Sequence, residues 1–386
     1  MKILFGTLLC HRDVETFIFN WFVSRIHLKR GFSIPHLILN DGTITEEDFV
    51  KLDKLTNVFI EKDKVDFYNI QEPIYTAKLK LFEIGFMKYG AERVVVLDSD
   101  VFFFRSWDSD LADILLSEAI ALMDFGYSCG PEQQRYEEIF KAPRNSTTPT
   151  CNTGIFSTIP EHYHRILLNL AKQIDINEFH ILGDQGICFA AFNGMLNYIQ
   201  GIKVAAPGAG LHKEVWDWLL SQNGMHLLGM KSRKTEYYSI IEHTLNLLPK
   251  ELSMGSFIPD VYQADGAMYS YDVYDFERPL QSYPSLCGGR YLTDAIYLAG
   301  DSKITWTLPP QITRFDAELK ILDYSAKENI SPIEINARQY NIGSISVPVD
   351  GHKLEIKTNP GVRTFYALVR PRLSYNIEIP TTAFES

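Results

Sequence analysis

Cysteine is scarce in this sequence, with five in 386 residues: Cys10, Cys129, Cys151, Cys188 and Cys287. None stands in CxxC spacing and the number is odd, which argues against a disulfide framework and for reduced thiols. Long hydrophobic runs are missing as well, since nothing approaches the roughly 18–20 apolar residues of a membrane span. The apolar stretch ILFGTLLC after Lys2 is short, lacks a small-residue cleavage site and meets His11-Arg12-Asp13 at once. It therefore reads as a buried first strand and not as a signal peptide. Reduced, acidic and without an anchor, the chain is expected to be cytoplasmic. Positive charge is in deficit: 37 Lys and Arg face 48 Asp and Glu, for a formal charge of −11. That argues against a general nucleic-acid binder, which needs basic surface to displace phosphate counterions. One small phosphate-bearing ligand stays possible, because a local basic cluster can override the global sign. Internal repeats and low-complexity tracts are absent.

What the sequence does have is core material, at 46% apolar and 13% aromatic residues. Apolar strands are expected at 2–9, 36–39, 58–61 and 94–97. A helix follows Asp13, with Val14, Phe17, Ile18, Trp21, Phe22 and Ile26 at helical spacing and Gly31 as its stop. A second helix covers 75–89, closed by Gly90. Strands alternating with helices predict an open, mostly parallel α/β sheet, and the all-apolar strand at 94–97 suits a sheet covered on both faces. A further strand, AIALMDF, falls at 119–125. Near Lys303 the pattern changes to period-two alternation (Ile304-Trp306-Leu308, Ala317-Leu319-Ile321, Ile333-Ile335-Ala337, Leu354-Ile356) separated by turn residues. The expected division is a catalytic α/β domain at 1–235, helix and irregular covering segments at 236–302, and an all-β, sandwich-like module at 303–386.

The sharpest local feature is VVVLDSDVFFF at 94–104. A buried strand delivers Asp98 and Asp100 to its carboxyl end, where ligands bind in open α/β sheets. Carboxylates two apart in an extended chain point the same way, with Ser99 between them. Two hard oxygen ligands there suit Mn²⁺ or Mg²⁺, which leave coordination positions for substrate phosphates and water. A polar strand end is the plain alternative, but two unpaired carboxylates between apolar runs would be costly. The chain carries its own control in Asp108-Ser109-Asp110, which follows no strand and is expected to cap a helix.

An aliphatic strand ending in DxD, in an α/β domain that starts at the N-terminus, resembles the GT-A glycosyltransferases, and three later segments resemble glycosyltransferase family 8, the glycogenin-like and galactosyltransferase-like enzymes. Cys151-Asn152-Thr153-Gly154 is similar to that family's N-A-G segment beside the donor sugar. Gly183-Asp184-Gln185-Gly186 is similar to its D-Q-D segment, which implies that Asp184 and Gln185 sit at the reaction centre. His226-Leu227-Leu228-Gly229 is similar to the start of H-x-x-G-x-x-K-P-W, which implies His226 as third metal ligand and a following Lys on the diphosphate. The chain departs from the pattern with Thr153 for Ala, Gly186 for Asp, and MKSRK after Gly229, where Lys231, Arg233 or Lys234 must take the phosphate role. The resemblance implies a retaining hexosyl transfer from a UDP-sugar to a glycan, glycolipid or protein acceptor.

From the residues alone the alternatives stay open. His226 lies in an apolar stretch and could be structural; His212 is a rival ligand; Asn152 and Asp184 could be turn residues. Of Lys78 and Lys80 at most one can face inward, and Lys78 is expected at the donor phosphates. Thr7, at the end of the first strand, is placed against the nucleoside by fold analogy. Asp124 would serve as base if transfer were inverting. Rival functions are a glycan-binding protein with a degenerate transferase domain, in which Trp306, Tyr340 and Tyr366 stack on sugars, and a sugar nucleotidyltransferase, for which the first loop has too few glycines.

Overall fold

The apolar runs of the first hundred residues become neighbouring strands: β1 (Ile3–Leu9), β2 (His36–Asn40), β3 (Val58–Lys64) and β4 (Arg93–Leu97). The structure, a computed structural model, describes residues 2–64, 77–124, 150–164, 184–185, 188, 191–192, 195–205, 212–229, 233–257, 259–264, 295–298, 302–321, 331–359 and 366–380. Helices α1 (Val14–Ile26), α2 (Glu46–Leu52) and α3 (Lys80–Met87) lie between these strands. The chain continues through β5 (Val101–Phe103), α4 (Asp108–Leu116), β6 (Ala119–Asp124), β7 (Thr150–Thr158), β8 (Leu196–Ile199), β9 (Ile202–Ala205), α5 (Lys213–Leu220), β10 (Gly224–Leu227) and α6 (Lys234–Leu247).

Seven strands form one sheet in the order β3-β2-β1-β4-β7-β6-β8. Every pairing is parallel except those of β7, which runs antiparallel to both β4 and β6. The expected open, mostly parallel α/β sheet is thus present, and β4 is buried along its whole length, as a strand covered on both faces requires. β7 carries an irregularity that matters for the site. Ala121 pairs with Phe156 and Leu122 with Asn152, so Thr153, Gly154 and Ile155 bulge away from β6. Bulges of this kind re-aim side chains. A small second sheet, β5-β10-β9, sets His226 of β10 opposite Val101 of β5.

Beyond α6 the chain builds two antiparallel sheets. One joins Leu252–Ser253, Tyr366–Tyr375, Ile312–Ile321 and Gly343–Pro348, with Ala295–Leu298 also on Tyr366–Tyr375. The other joins Val261–Ala264, Ser302–Thr307, Lys353–Lys357, Ile333–Ile335 and Arg338–Tyr340. Their inner faces share one core, as in a sandwich. The strands at 252–253, 261–264 and 295–298 join these sheets ahead of Lys303, where the period-two pattern begins, and are too short to show alternation.

The same core continues into the α/β domain. Phe17, Trp21 and Phe22 of α1 and Phe49 and Leu52 of α2 belong to it. Phe32 stacks on Phe257 at 4.7 Å and Phe22 meets Tyr375 at 5.3 Å. Trp306 and Tyr366 are buried in this core and Tyr340 packs against it, so the sugar-stacking surface considered for the first two is replaced by packing.

The second DSD is structural, though not as a cap. Trp107 occupies the cap position of α4 and makes no side-chain capping bond there, its Nε1 donating instead to Ser24 O at 3.1 Å. Asp110 is buried and accepts from Gly201 N at 2.7 Å and Asn223 Nδ2 at 2.8 Å. Among the described residues no helix is long and apolar enough to cross a membrane.

Candidate metal and donor site

Asp98 and Asp100 stand just beyond the carboxyl end of β4, in the tight turn to β5. That turn is fixed from three sides. Asp98 N donates to Gly154 O at 2.8 Å, Leu227 N donates to Asp100 O at 3.2 Å, and Asn20 Nδ2 of α1 donates to Ser99 O at 2.7 Å. Ser99 thus serves through its carbonyl. β10 brings His226 over the turn, its Nε2 at 3.1 Å from Asp100 Oδ1 and 3.9 Å from Asp98 Oδ2. One ligand atom from each of these three residues lies within 4.8 Å of the others. His226 is 3% exposed, while the two carboxylates are roughly a quarter open, at 22% and 25% of their side chains. The set is buried on one side and open on the other.

The histidine's tautomer follows from its neighbours. Asn152 Oδ1 accepts from Gly154 N at 2.9 Å, which fixes the amide's orientation, and it lies 2.7 Å from His226 Nδ1. Nδ1 must therefore carry the proton, and Nε2 is turned to the carboxylates. A ring nitrogen held on its far side in this way is the usual arrangement of a metal-ligating histidine. Room for the ring depends on Gly154, where a Cβ would stand 2.2 Å from His226 Nδ1. Two carboxylate oxygens and one imidazole nitrogen, open toward solvent, fit a hard divalent cation such as Mn²⁺ or Mg²⁺.

Lys78 lies beneath the carboxylates. Its ammonium donates to both oxygens of Asp98 at 3.0 Å, lies 3.0 Å from Asp184 Oδ2, and comes within 3.5 Å of Thr153 Oγ1. Thr153 donates in turn to Asp184 Oδ2. Burial lowers the pKa of Lys78, but Asp184 and Asp98 outweigh it and raise the pKa above its ordinary value. Asp98, desolvated and facing Asp100, is pushed up to about 6 despite Lys78 and His226. Burial would raise Asp100 too, yet His226 opposite holds it below its ordinary value, and Asp100 correspondingly raises His226 against the effect of burial.

The structure thus brings Asp98, Asp100, His226, Asn152, Lys78 and Asp184 together. Lys78 is the inward lysine and Lys80 pairs with Glu83 at 2.8 Å. The Lys78 ammonium is directed at carboxylates, however, where the sequence reading offers it to donor phosphates. Thr7 is buried; its hydroxyl donates to Leu97 O at 2.6 Å and lies 2.9 Å from His36 Nε2. It ties β1 to β4 beneath the turn that carries Asp98 and Asp100, whereas the sequence reading sets it against the nucleoside. Gln185 is half-buried, and its carbonyl accepts from Cys151 Sγ at 3.4 Å. Lys231 lies outside the described residues, as does the side chain of Asp124. Lys234 opens α6 and is exposed; Arg233 is buried, 3.7 Å from Glu236. His212 precedes α5, exposed and outside the cluster. Sequence reasoning missed Asn20 and Thr153 as shaping residues. A buried Asn inside an apolar helix face, and a hydroxyl where the resembled segment carries Ala, were the available signals.

No family model and no curated protein sequence matches the chain. Solved structures similar to it include the WbbM bifunctional glycosyltransferase, at 12% identity and a TM-score of 0.44, covering 63% of this chain and 50% of that one. The galactosyltransferase LgtC in complex with donor and acceptor sugar analogs is similar at 16% identity and 0.44, covering 64% and 98%. Mouse xyloside xylosyltransferase 1 is similar at 12% and 0.38, covering 58% and 96%. The chain thus spans half the length of WbbM. With identities and scores this low, what the site does rests on its own atoms.

Proposed function

We propose that this chain is a metal-dependent glycosyltransferase that moves a hexosyl group from a nucleoside-diphosphate sugar, UDP in the first instance, to a hydroxyl of a glycan, glycolipid or protein acceptor. The observation that carries the reading is the convergence of Asp98, Asp100 and a tautomer-fixed His226 at the open carboxyl edge of β4. These three would hold Mn²⁺ or Mg²⁺, which when bound neutralises the departing diphosphate. The remaining work falls to the chain. Lys231 or Lys234, following β10, would grip the diphosphate. The end of β1, from Thr7 to Arg12, would flank the nucleoside, with Thr7 bracing Leu97 from inside the sheet. Asn152 Nδ2 is buried and has no hydrogen-bond partner among the described residues, which suits it to a sugar oxygen. Asp184 and Gln185 would orient the transferred sugar and the acceptor. Retention fits a site in which the leaving phosphate takes the acceptor proton, since Asp184 is already engaged by Lys78 and Thr153. Cytoplasmic polysaccharide synthesis is the setting that matches the acidic, thiol-bearing sequence. Burial of Trp306 and Tyr366 removes the main support for the rival glycan-binding reading.

The test is thermal unfolding with a panel of nucleoside diphosphates, each with and without Mn²⁺. A ligand at a hundred times its Kd stabilises the native state by about 2.7 kcal/mol, or several degrees for a chain of this size. A shift that needs both Mn²⁺ and one nucleotide, and that disappears in Asp100→Asn, supports the proposal. The absence of any shift across the panel would overturn it.

A further inference from the structure

Asp184 is 4% exposed, so hydrogen bonds and not solvent decide where its two oxygens point. Among the described residues two donors reach it, and both converge on one atom: Lys78 Nζ lies 3.0 Å from Oδ2, and Thr153 Oγ1 donates to the same oxygen. Lys78 is stretched between two jobs, because it also holds both oxygens of Asp98 at 3.0 Å. An ammonium on a flexible stem neutralises a carboxylate without fixing the rotation of its plane. A second, short donor from the rigid, β-branched Thr153 does fix it. Thr153 can reach because β7 bulges at 153–155, away from β6, between the Asn152 that holds His226 and the Gly154 that makes room for it.

We propose that Thr153 is a positioning residue for the donor's sugar: with Lys78 it holds Asp184 by Oδ2 and leaves Oδ1 to accept from a hydroxyl of the sugar to be transferred. The inference rests on the transferase reading and adds to it that recognition of the sugar and of the nucleotide are separable at one side chain. The metal ligands do not touch Thr153 directly, so removing its hydroxyl leaves the nucleotide and metal half of the site in place.

Calorimetric titrations with Mn²⁺ and UDP, and with Mn²⁺ and UDP-glucose, UDP-galactose or UDP-N-acetylglucosamine, test this in Thr153→Val, which keeps shape and volume, and Thr153→Ser, which restores the hydroxyl. In Thr153→Val the Kd for UDP stays within about twofold of wild type while the Kd for the preferred conjugate rises about tenfold, the worth of one hydrogen bond to a charged group. Thr153→Ser returns the conjugate to near its wild-type value. An unchanged ratio of the two constants in Thr153→Val, or a parallel loss of UDP and conjugate, overturns the assignment. A wild type that binds neither UDP nor any other nucleoside diphosphate with Mn²⁺ fails the transferase reading itself, before any variant is compared.

Discussion

At the scale of single residues, the absence of a side chain at position 154 is as much a part of the site as the ligands. A methyl group there would stand 2.2 to 2.7 Å from three atoms of the His226 ring, and the ring has no slack because Asn152 holds its far nitrogen. Gly154→Ala is therefore expected to weaken Mn²⁺ binding by about 10–100-fold, the usual effect of disturbing the groups behind a ligand, as read by electron paramagnetic resonance titration. Two other histidines bear on stability. Burial, aided by Arg25, holds His36 well below its ordinary pKa, and burial with Arg105 lowers His27 to about 4. Both stay neutral in the native state while the unfolded chain takes up their protons below about pH 6.5. Folding stability therefore falls as pH drops from 6.5 toward 4, by up to about 1.4 kcal/mol per pH unit for each histidine. Urea unfolding at pH 7 and pH 5 reads the difference, and His27→Asn should reduce it.

At the scale of elements, the site is an agreement between strands that arrive from distant parts of the sequence. β4 supplies the carboxylates, β7 the amide and the space, and β10 the histidine. β10 approaches β5 so closely that a Cβ on Gly224 would stand 2.6 Å from Phe102 O. Gly224→Ala should push the strand outward and carry His226 off the cluster. We expect a loss of about 1–3 kcal/mol in stability together with weaker Mn²⁺ binding; full metal affinity in a destabilised protein would show that the ligand is positioned by Asn152 alone. On the other side, α1 contributes Asn20, whose amide holds the Ser99 carbonyl. Asn20→Ala should lower metal affinity by about tenfold with a smaller effect on melting.

At the scale of the whole molecule, the β module and the α/β domain share one hydrophobic core, so the module braces the helical face formed by α1 and α2. The stacked pair Phe32 and Phe257 sits in that junction. Phe257→Ala should cost about 3–5 kcal/mol. Thermal unfolding should remain a single transition in the wild type, since neither part buries its apolar face alone. Two separated transitions in scanning calorimetry would show that the junction is weaker than its packing implies.

The sequence by itself determined the parallel half of the main sheet and the place of Asp98 and Asp100 at the end of its fourth strand. Burial on both faces makes β4 apolar throughout, and carboxylates at its end stand where open α/β sheets bind ligands. The sequence also limited the inward position to one of Lys78 and Lys80, and the structure shows that it is Lys78. Only the tertiary structure decided the rest. Asn152 and His226 are 74 positions apart, so periodicity cannot report the bond that orients the histidine. Thr7 reads as a strand-end hydroxyl, and only the neighbouring Leu97 carbonyl and His36 show it turned inward. The strands at 252–253, 261–264 and 295–298 were illegible because strands of two to four residues are held by pairing with distant long strands, which leaves no local pattern to read.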